Sequence, residues 1–463
     1  MTRHSITLPI VVAAFFFCSS EARAGEPIGP DVVASDVLAP ANWGAVDDES
    51  GFSFGSKSCN VGDASLGFVE NTALHPAYAQ NLYRIDADGR FMQIGMSWLF
   101  HGYCALQIGN VCGTCTPNCG GCCGELGAGC SSTDSSVING GQARMGPRSE
   151  VNIQTGEFPW PHGAFGLTGN AVYKRVRVRH SDLNLALNEN ASFFSEVQIV
   201  ASDDAATGNA ENSISTRSVQ TSGLPPNISL AAAGPTLQMQ SAIEQWPIAR
   251  PGAIVLDVPV PGEGLFHIGA YVRDNGDGTW MYSYAVHNQT SHLSGHSFAV
   301  PVGAGVTISD VGFHDVDYHS GEPYTNAAWT AANANGMLRW TADATFAENE
   351  NANALRWGTT YSFWFTADVG PEEGDATLGL FRDPAVVLSV RIPSPSSSVL
   401  LIGDVNCDGL ISVSDIAPFV LALTDANGYA SQFPACDIAS ADINGDSLIT
   451  VGDIGPFVSL LTR

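Results

Sequence analysis

Basic residues are scarce in this chain. Lys and Arg number 19 against 46 Asp and Glu over 463 residues, a formal net charge of −27, and Lys57 and Lys174 are the only lysines. So acidic a chain is repelled by nucleic-acid phosphates and by anionic membrane surfaces, which excludes both as partners. No apolar run approaches the roughly 20 residues that a membrane-spanning helix needs. Neither His-Glu-x-x-His nor a phosphate-cradling glycine loop ahead of Lys is present, so metalloprotease and nucleotide chemistry leave no local signature.

At the N-terminus, Arg3 and His4 precede the apolar run Ile6 to Phe17, and Ala22-Arg23-Ala24 follows as a small-residue cleavage site. This pattern predicts a secretory signal peptide over residues 1–24 and a secreted or cell-surface protein. Removing it takes away Arg3, Arg23, Glu21 and Cys18, which leaves 17 basic and 45 acidic residues, a net charge of −28 and ten cysteines. Eight of the ten lie between Cys59 and Cys130, six of them as Cys112-x2-Cys115-x3-Cys119-x2-Cys122-Cys123-x6-Cys130. In an oxidising compartment these are read as disulfides rather than zinc ligands, because zinc ribbons place a long excursion between Cys-x-x-Cys pairs and none exists here. Cys407 and Cys436 stand apart and are expected to pair with each other.

The region between reads as mainly β. Phe193 to Val200, Trp280 to His287 and Tyr361 to Phe365 alternate as strands do, and Asp274-Asn-Gly-Asp-Gly-Thr279 is a turn. Short strands punctuated by Gly, Pro, Asn and Asp predict a sandwich or barrel rather than a parallel sheet. The expected organisation is a β-rich region over 25–247 with a Cys-rich loop at 104–130, and a β-sandwich-like region over 248–392. A Pro/Ser linker at 393–401 and a terminal module at 402–463 follow. One helix is predicted from Pro235 to Trp246, with Leu237, Ile243 and Trp246 on one face.

The terminal module carries the clearest chemistry. Asp404-Val-Asn-Cys-Asp-Gly-Leu-Ile-Ser-Val-Ser-Asp415 recurs 38 residues later as Asp442-Ile-Asn-Gly-Asp-Ser-Leu-Ile-Thr-Val-Gly-Asp453, and 13 of 21 positions are identical between 404–424 and 442–462. Calcium takes six to eight oxygens, which a twelve-residue loop supplies from positions 1, 3, 5, 7, 9 and 12. The predicted ligands are Asp404, Asn406, Asp408, the Leu410 carbonyl, Ser412 and Asp415, then Asp442, Asn444, Asp446, the Leu448 carbonyl, Thr450 and Asp453. Gly409 allows the sharp turn at position 6 of the first loop, where the second has Ser447. Ile416, Phe419, Val420 and Leu423, with Ile454, Phe457, Val458 and Leu461, have helical spacing and are expected to form the module's core.

These paired Asp-x-Asn-x-Asp loops, which end in Asp and lack an entering helix, resemble the type I dockerin of bacterial polysaccharide-degrading assemblies. The resemblance covers about the last 60 residues. It implies Ca²⁺ as cofactor, a cohesin-like or other cell-surface protein as partner, and a polysaccharide as a further candidate ligand. Dockerins commonly carry Ser-Thr at loop positions 10 and 11; this chain carries Val413-Ser414 and Val451-Gly452.

Other constellations are weaker. His314-Asp-Val-Asp-Tyr-His319, with His292 and His296 nearby in sequence, is either a metal site or a polar loop with hydrogen-bonded histidines, and the loop is the commoner outcome. Arg175, Arg177 and Arg179 form a basic stripe that either receives an acidic polysaccharide or pairs internally. A glycosidase pair is sought among Glu150, Glu157, Glu196, Asp203, Asp204 and Glu322. Trp98, Trp160, Trp329, Trp340, Trp357 and Trp364 stack on sugars or fill the core. The expectation is a non-catalytic extracellular structural or binding protein docked through its C-terminus. The alternative is a polysaccharide-active enzyme, either a glycoside hydrolase or a lyase.

Overall fold

The computed structural model describes residues 28–462 except Asn110, Asn118, Ala304, 396–400, Gly409, Pro434 and Ala435. The signal segment therefore lies outside the described residues, as does the Gly409 turn.

The protein is mainly β, and every strand pairing along its ladders is antiparallel. Two-residue strands aside, the first region comprises β1 (Val32–Val46), β2 (Glu49–Asn60), β3 (Ala77–Ile85), β4 (Phe91–Met96), β5 (Leu99–His101) and β6 (Ser131–Asp134). It continues with β7 (Val176–Arg179), β8 (Ser192–Val200), β9 (Ile214–Ser222) and β10 (Ser229–Gln238). One sheet has the order β1-β2-β7, with β6 also on β2, and the facing sheet runs β10-β9-β8-β3-β5 with β4 on β3. Side chains two apart share a face of a strand. Phe52 and Phe54, Tyr78 and Leu82, and Val197 and Ile199 therefore meet in one core. Each such burial stabilises by roughly 1.5–3 kcal/mol.

The second region is a sandwich built the same way. Its strands are β11 (Ile254–Val260), β12 (Gly264–Asp274), β13 (Trp280–Asn288), β14 (Gly295–Pro301), β15 (Ile308–His314) and β16 (Thr330–Ala334). After these come β17 (Met337–Thr341), β18 (Thr359–Ala367), β19 (Glu372–Leu380) and β20 (Val387–Ser394). The sheets β11-β12-β13-β18-β15 and β16-β17-β14-β19-β20 enclose Tyr282, Tyr284, Phe298, Trp340, Phe363 and Phe365. The predicted turn at 274–279 joins β12 to β13, with Asn275 N–H donating to the Thr279 carbonyl at 2.9 Å.

The other face of the β13–β18 sheet is also covered, because the first region packs on it. Ala285 joins Tyr83, Ile85, Phe91, Phe194 and Trp246 in a small shared core. Around it lies a buried polar seam. Arg148 donates to the carbonyls of Ser97 (2.7 Å), Gln80 (3.0 Å) and Gly358 (3.1 Å) and to Asn81 Oδ1 (2.8 Å). Glu322 accepts from the Arg148 amide at 2.6 Å and the Ser149 amide at 3.2 Å.

The predicted helix over 235–246 is not formed. Residues 235–238 finish β10, where Leu237 opposes Thr216 on β9, and only single turns at Ala242–Gln245 and Trp246–Ala249 follow. Ladder hydrogen bonds outweigh the short helical pattern, and Met239, at φ +56°, breaks the chain's direction. Of the linker expected at 393–401, Pro393 and Ser394 belong to β20, where they pair with Glu373 and Glu372, and 396–400 lie outside the described residues.

Among the described residues the helices longer than five residues lie at the C-terminus: α1 (Ile416–Thr424), α2 (Ala426–Gln432) and α3 (Ile454–Leu461). Phe419 and Phe457 stack at 4.2 Å, with Val405, Ala422, Tyr429 and Ala441 around them. Leu423 and Leu461 pack against this core, but Ile416, Val420, Ile454 and Val458 are exposed. The predicted apolar stripe is therefore divided. One Phe per helix fills so small a core, and the residues three before and one after it face outward.

Candidate functional site

The two loops are held by mirrored hydrogen-bond frames. In the first, Asp404 Oδ1 and Asn406 Oδ1 both accept from the Asp408 amide, at 3.1 and 3.0 Å, and Asp408 Oδ1 accepts from the Leu410 amide at 2.9 Å. In the second, Asp442 Oδ1 and Asn444 Oδ1 accept from the Asp446 amide at 3.1 and 2.9 Å, and Asp446 Oδ1 accepts from the Leu448 amide at 2.9 Å. The closing acids are buried. Asp415 accepts from the amides of Val405, Asn406 and Ser412, and Asp453 from those of Asn444 and Thr450. Ser412 and Thr450 cap the turns that lead into α1 and α3. Ser447 occupies the left-handed region at φ +67° and donates its amide to Asp442 Oδ2 at 2.7 Å. A non-glycine residue there costs about 1–2 kcal/mol.

The donor set is carboxylate, amide, hydroxyl and backbone carbonyl oxygen, which suits a hard cation. Among the described residues, however, no three His, Cys, Asp or Glu side chains converge as a metal cluster, and the loop acids are turned onto backbone amides. Outside the loops, Val413 and Val451 at position 10 are 77% and 80% exposed, so each repeat presents an apolar strip with the exposed Ile and Val of its helix.

The cysteines form Cys59–Cys112, Cys104–Cys122, Cys115–Cys130, Cys119–Cys123 and Cys407–Cys436, with Cα separations of 4.3 to 6.2 Å. Pairing across the Cys-x-x-Cys units leaves these thiols unavailable to zinc. Among the described residues no helix is long and apolar enough to cross a membrane.

Residues 315–319 follow β15 as an irregular segment, and their side chains are each engaged elsewhere. His314 Nε2 lies 2.8 Å from the Gln93 carbonyl, His319 Nε2 lies 2.9 Å from the Met96 carbonyl, and Asn353 donates to Asp315 Oδ2 at 2.5 Å. Asp317 pairs with Arg179. Burial lowers the His319 imidazole to about 4 and raises the Asp315 carboxyl. The arginine stripe is likewise internal: Arg177 faces Glu49 at 3.4 Å, and Arg175 lies over the Trp43 ring at 3.5 Å.

The carboxylates considered for glycoside chemistry are dispersed. Glu196 is buried, accepting from Asn81, Tyr83 and the Ala242 amide. Asp204 accepts from the Val32 amide and Ser213, while Asp203 accepts from the Gly67 amide. Glu150 and Glu157 share an open depression of about 500 Å³, and both Glu150 oxygens accept from the Gly163 amide at 3.0 and 2.9 Å. Gly51-Phe-Ser-Phe-Gly55 has the spacing of a nucleophile elbow but lies within β2. Ser53 Oγ donates to the Ser136 carbonyl at 2.6 Å and accepts from Trp43 Nε1 at 2.7 Å, so it is not a poised nucleophile.

Trp98, Trp329, Trp340 and Trp357 are buried, whereas Trp160 and Trp364 are partly exposed. Sequence reasoning missed Phe165, 44% exposed beside Trp160, and Tyr103, 40% exposed on the Arg144 guanidinium that Trp160 also meets. Both sit in irregular loops, where no periodicity marks a side chain as turned outward.

No family model and no curated protein matches this chain. Among solved structures, a serine-rich repeat adhesion glycoprotein from Streptococcus agalactiae shares 8% identity over 80% of this chain and 99% of its own, at a TM-score of 0.20. The exo-chitosanase CsxA of Amycolatopsis orientalis shares 8% identity over 73% of this chain and 25% of its own, at a TM-score of 0.16. At such scores neither likeness bears on fold or function.

Proposed function

We propose that this is an exported, non-catalytic binding or structural protein, held at its place of work by a C-terminal module whose two loops bind calcium. The observation that carries this reading is the mirrored construction of the module. Two loops with the same acid–amide frame each carry an outward apolar strip, Val413 with Ile416 and Val420, and Val451 with Ile454 and Val458. Calcium would be held by Asp404, Asn406, Asp408, the Leu410 carbonyl, Ser412 and Asp415, and by the six equivalents from Asp442 to Asp453. When bound, it would neutralise acids that otherwise repel one another. The loops then orient α1 and α3, and the apolar strips offer a partner protein, cohesin-like or another cell-surface protein, a surface that water leaves readily.

The test is capture of the full chain by a cell-surface extract, with and without calcium. Capture that needs calcium and is lost in Val413→Asp with Val451→Asp supports the reading. Calcium-independent capture, or capture unaffected by both substitutions, refutes it.

A second reading, a polysaccharide-active enzyme, is favoured by the depression shared by Glu150 and Glu157. The engagement of both Glu150 oxygens with Gly163 counts against it. Release of reducing sugar from a polysaccharide, abolished by Glu157→Gln, would establish it in place of the binding role.

A further inference from the structure

Loops at a protein surface ordinarily expose polar side chains, and an isolated exposed aromatic means little. Here two loops expose a group of them. Tyr103 and Trp160 lie on the Arg144 guanidinium, with its carbon 4.2 and 5.4 Å from their ring centroids, and Phe165 meets Trp160 edge-on at 5.1 Å. Leu167, 56% exposed, stands two residues beyond Phe165.

These loops are held rigidly. Lys174, one of the two lysines in the chain and wholly buried, donates from Nζ to the carbonyls of Gln142 (2.9 Å), Ala164 (2.8 Å) and Leu167 (3.0 Å). Two of the clamped carbonyls, those of Ala164 and Leu167, bracket Phe165 in the chain. Gly163 is gripped by Glu150, and the Gly166 amide donates to the Ala143 carbonyl at 2.8 Å. On the other side Arg144 donates to the carbonyls of His101 (3.0 Å) and Gly102 (2.6 Å), and the Cys104–Cys122 disulfide follows Tyr103 directly. Beneath lie His101 and His162, stacked at 4.5 Å and buried. An ammonium and a guanidinium, both stripped of water, thus fix backbone whose outward product is a set of solvent-facing rings. Nothing in the fold's own cores requires those rings to point outward, whereas a preformed binding surface does.

The surroundings narrow the ligand. Glu70 lies 3.6 Å from Arg144, which leaves the patch near neutrality, and the chain's net charge repels polyanions. The depression of about 500 Å³ adjoining the loop is lined by Glu150, Asn152 and Glu157 together with Leu74, Phe158 and Pro159. An apolar protein partner would bury those carboxylates with no donors among the described residues beyond the Gly163 amide on Glu150 and the Thr155 hydroxyl on Glu157, which is costly for a charged group. A sugar ring presents a C–H face to aromatic rings and hydroxyl donors at its edge.

We infer that Tyr103, Trp160 and Phe165, with the depression beside them, form a binding surface for an uncharged polysaccharide. This rests on the binding-protein reading above and names its ligand. The test sediments the full, calcium-loaded chain with insoluble cellulose, chitin and xylan. Retention is expected on at least one. Phe165→Ala and Tyr103→Ala should each weaken it about 3- to 10-fold, and Ile248→Ala, at another exposed apolar position, should not. No retention on any of the three, or equal retention by the aromatic variants, overturns the inference. So does self-association of the chain through Phe165 without polysaccharide binding. The calcium-dependent capture described above reads the other end of the molecule, so either idea can fail while the other stands.

Discussion

In the β region a buried guanidinium ties two sandwiches together. In the C-terminal module carboxylates, some buried and some exposed, tie each of two loops to its own backbone amides. Arg148 exchanges water for three carbonyls and an amide oxygen in a seam between the two regions, whose own cores bury aromatic residues such as Phe52, Tyr284 and Phe363. Among its described residues the module's core has six buried hydrophobic side chains, and the module carries one disulfide and two acidic loops. Its apolar burial alone stabilises little, as in other scaffolds of its size. The contrast teaches that apolar burial suffices for one region and leaves the other in need of further support, which in the proposed reading is calcium from solution.

The sharpest way to break the comparison is to take calcium away. With chelator, residues 402–463 are expected to lose helical circular dichroism while the β region keeps its near-ultraviolet spectrum. Calcium at a thousand times its dissociation constant should stabilise the module by about 4 kcal/mol. Asp404→Ala with Asp442→Ala should abolish the calcium response. A module whose unfolding is indifferent to chelator would place it with the β region.

Arg148→Met tests the other side. It leaves the Gln80, Ser97 and Gly358 carbonyls without this donor, and Glu196 and Glu322 without a neighbouring positive charge. Breaking a buried charged network costs about 3–5 kcal/mol. Denaturant unfolding should show that loss in the β transition and none in the calcium-dependent one.

A smaller effect is expected from pH. Burial pushes the Asp204 carboxyl up to about 7, although Val32 and Ser213 donate to it. Its folded value lies above its unfolded one, so folding takes up a proton. The stability it contributes is fully present below pH ~4 and is lost as pH rises through 7. Asp204→Asn holds the group neutral. The stability of the wild type relative to this variant should therefore fall on the order of 3 kcal/mol between pH 4 and 7. Urea titrations at several pH values measure it, and a constant difference would show that the carboxylate is not disfavoured by the fold. The least effect belongs to Arg179→Ala: this pair with Asp317 is well exposed, and its loss should cost under about 1 kcal/mol.

Much of this was legible in the residues, and the exceptions have physical causes. Alternation at Trp280 to His287 and Tyr361 to Phe365 marked strands because one face had to be apolar. Asn275 to Thr279 marked a turn because glycine there accepts φ values of +77° and +89° at Gly276 and Gly278. The helix expected at 235–246 failed because an i, i+3 pattern over so few residues also arises in an edge strand. His314, Asp315, Asp317 and His319 looked like ligands by type, yet their partners Gln93, Asn353, Arg179 and Met96 come from distant positions that spacing does not reveal. Ile416 and Val420 were placed inside because helical period tells which residues share a face, and the size of the core decides how wide that face is.

By itself the sequence determined the mainly β class, the expectation of disulfides and the twin acidic loops. These follow from local periodicity, redox chemistry and the oxygen donors that repeat at fixed spacing. Only the tertiary structure decided which cysteines pair, that Arg148 joins the two sandwiches, and that a buried lysine sets Phe165 facing water. Those outcomes depend on groups brought within about 3 Å from positions between 4 and 210 residues apart, and neither disulfides nor hydrogen bonds form beyond short range.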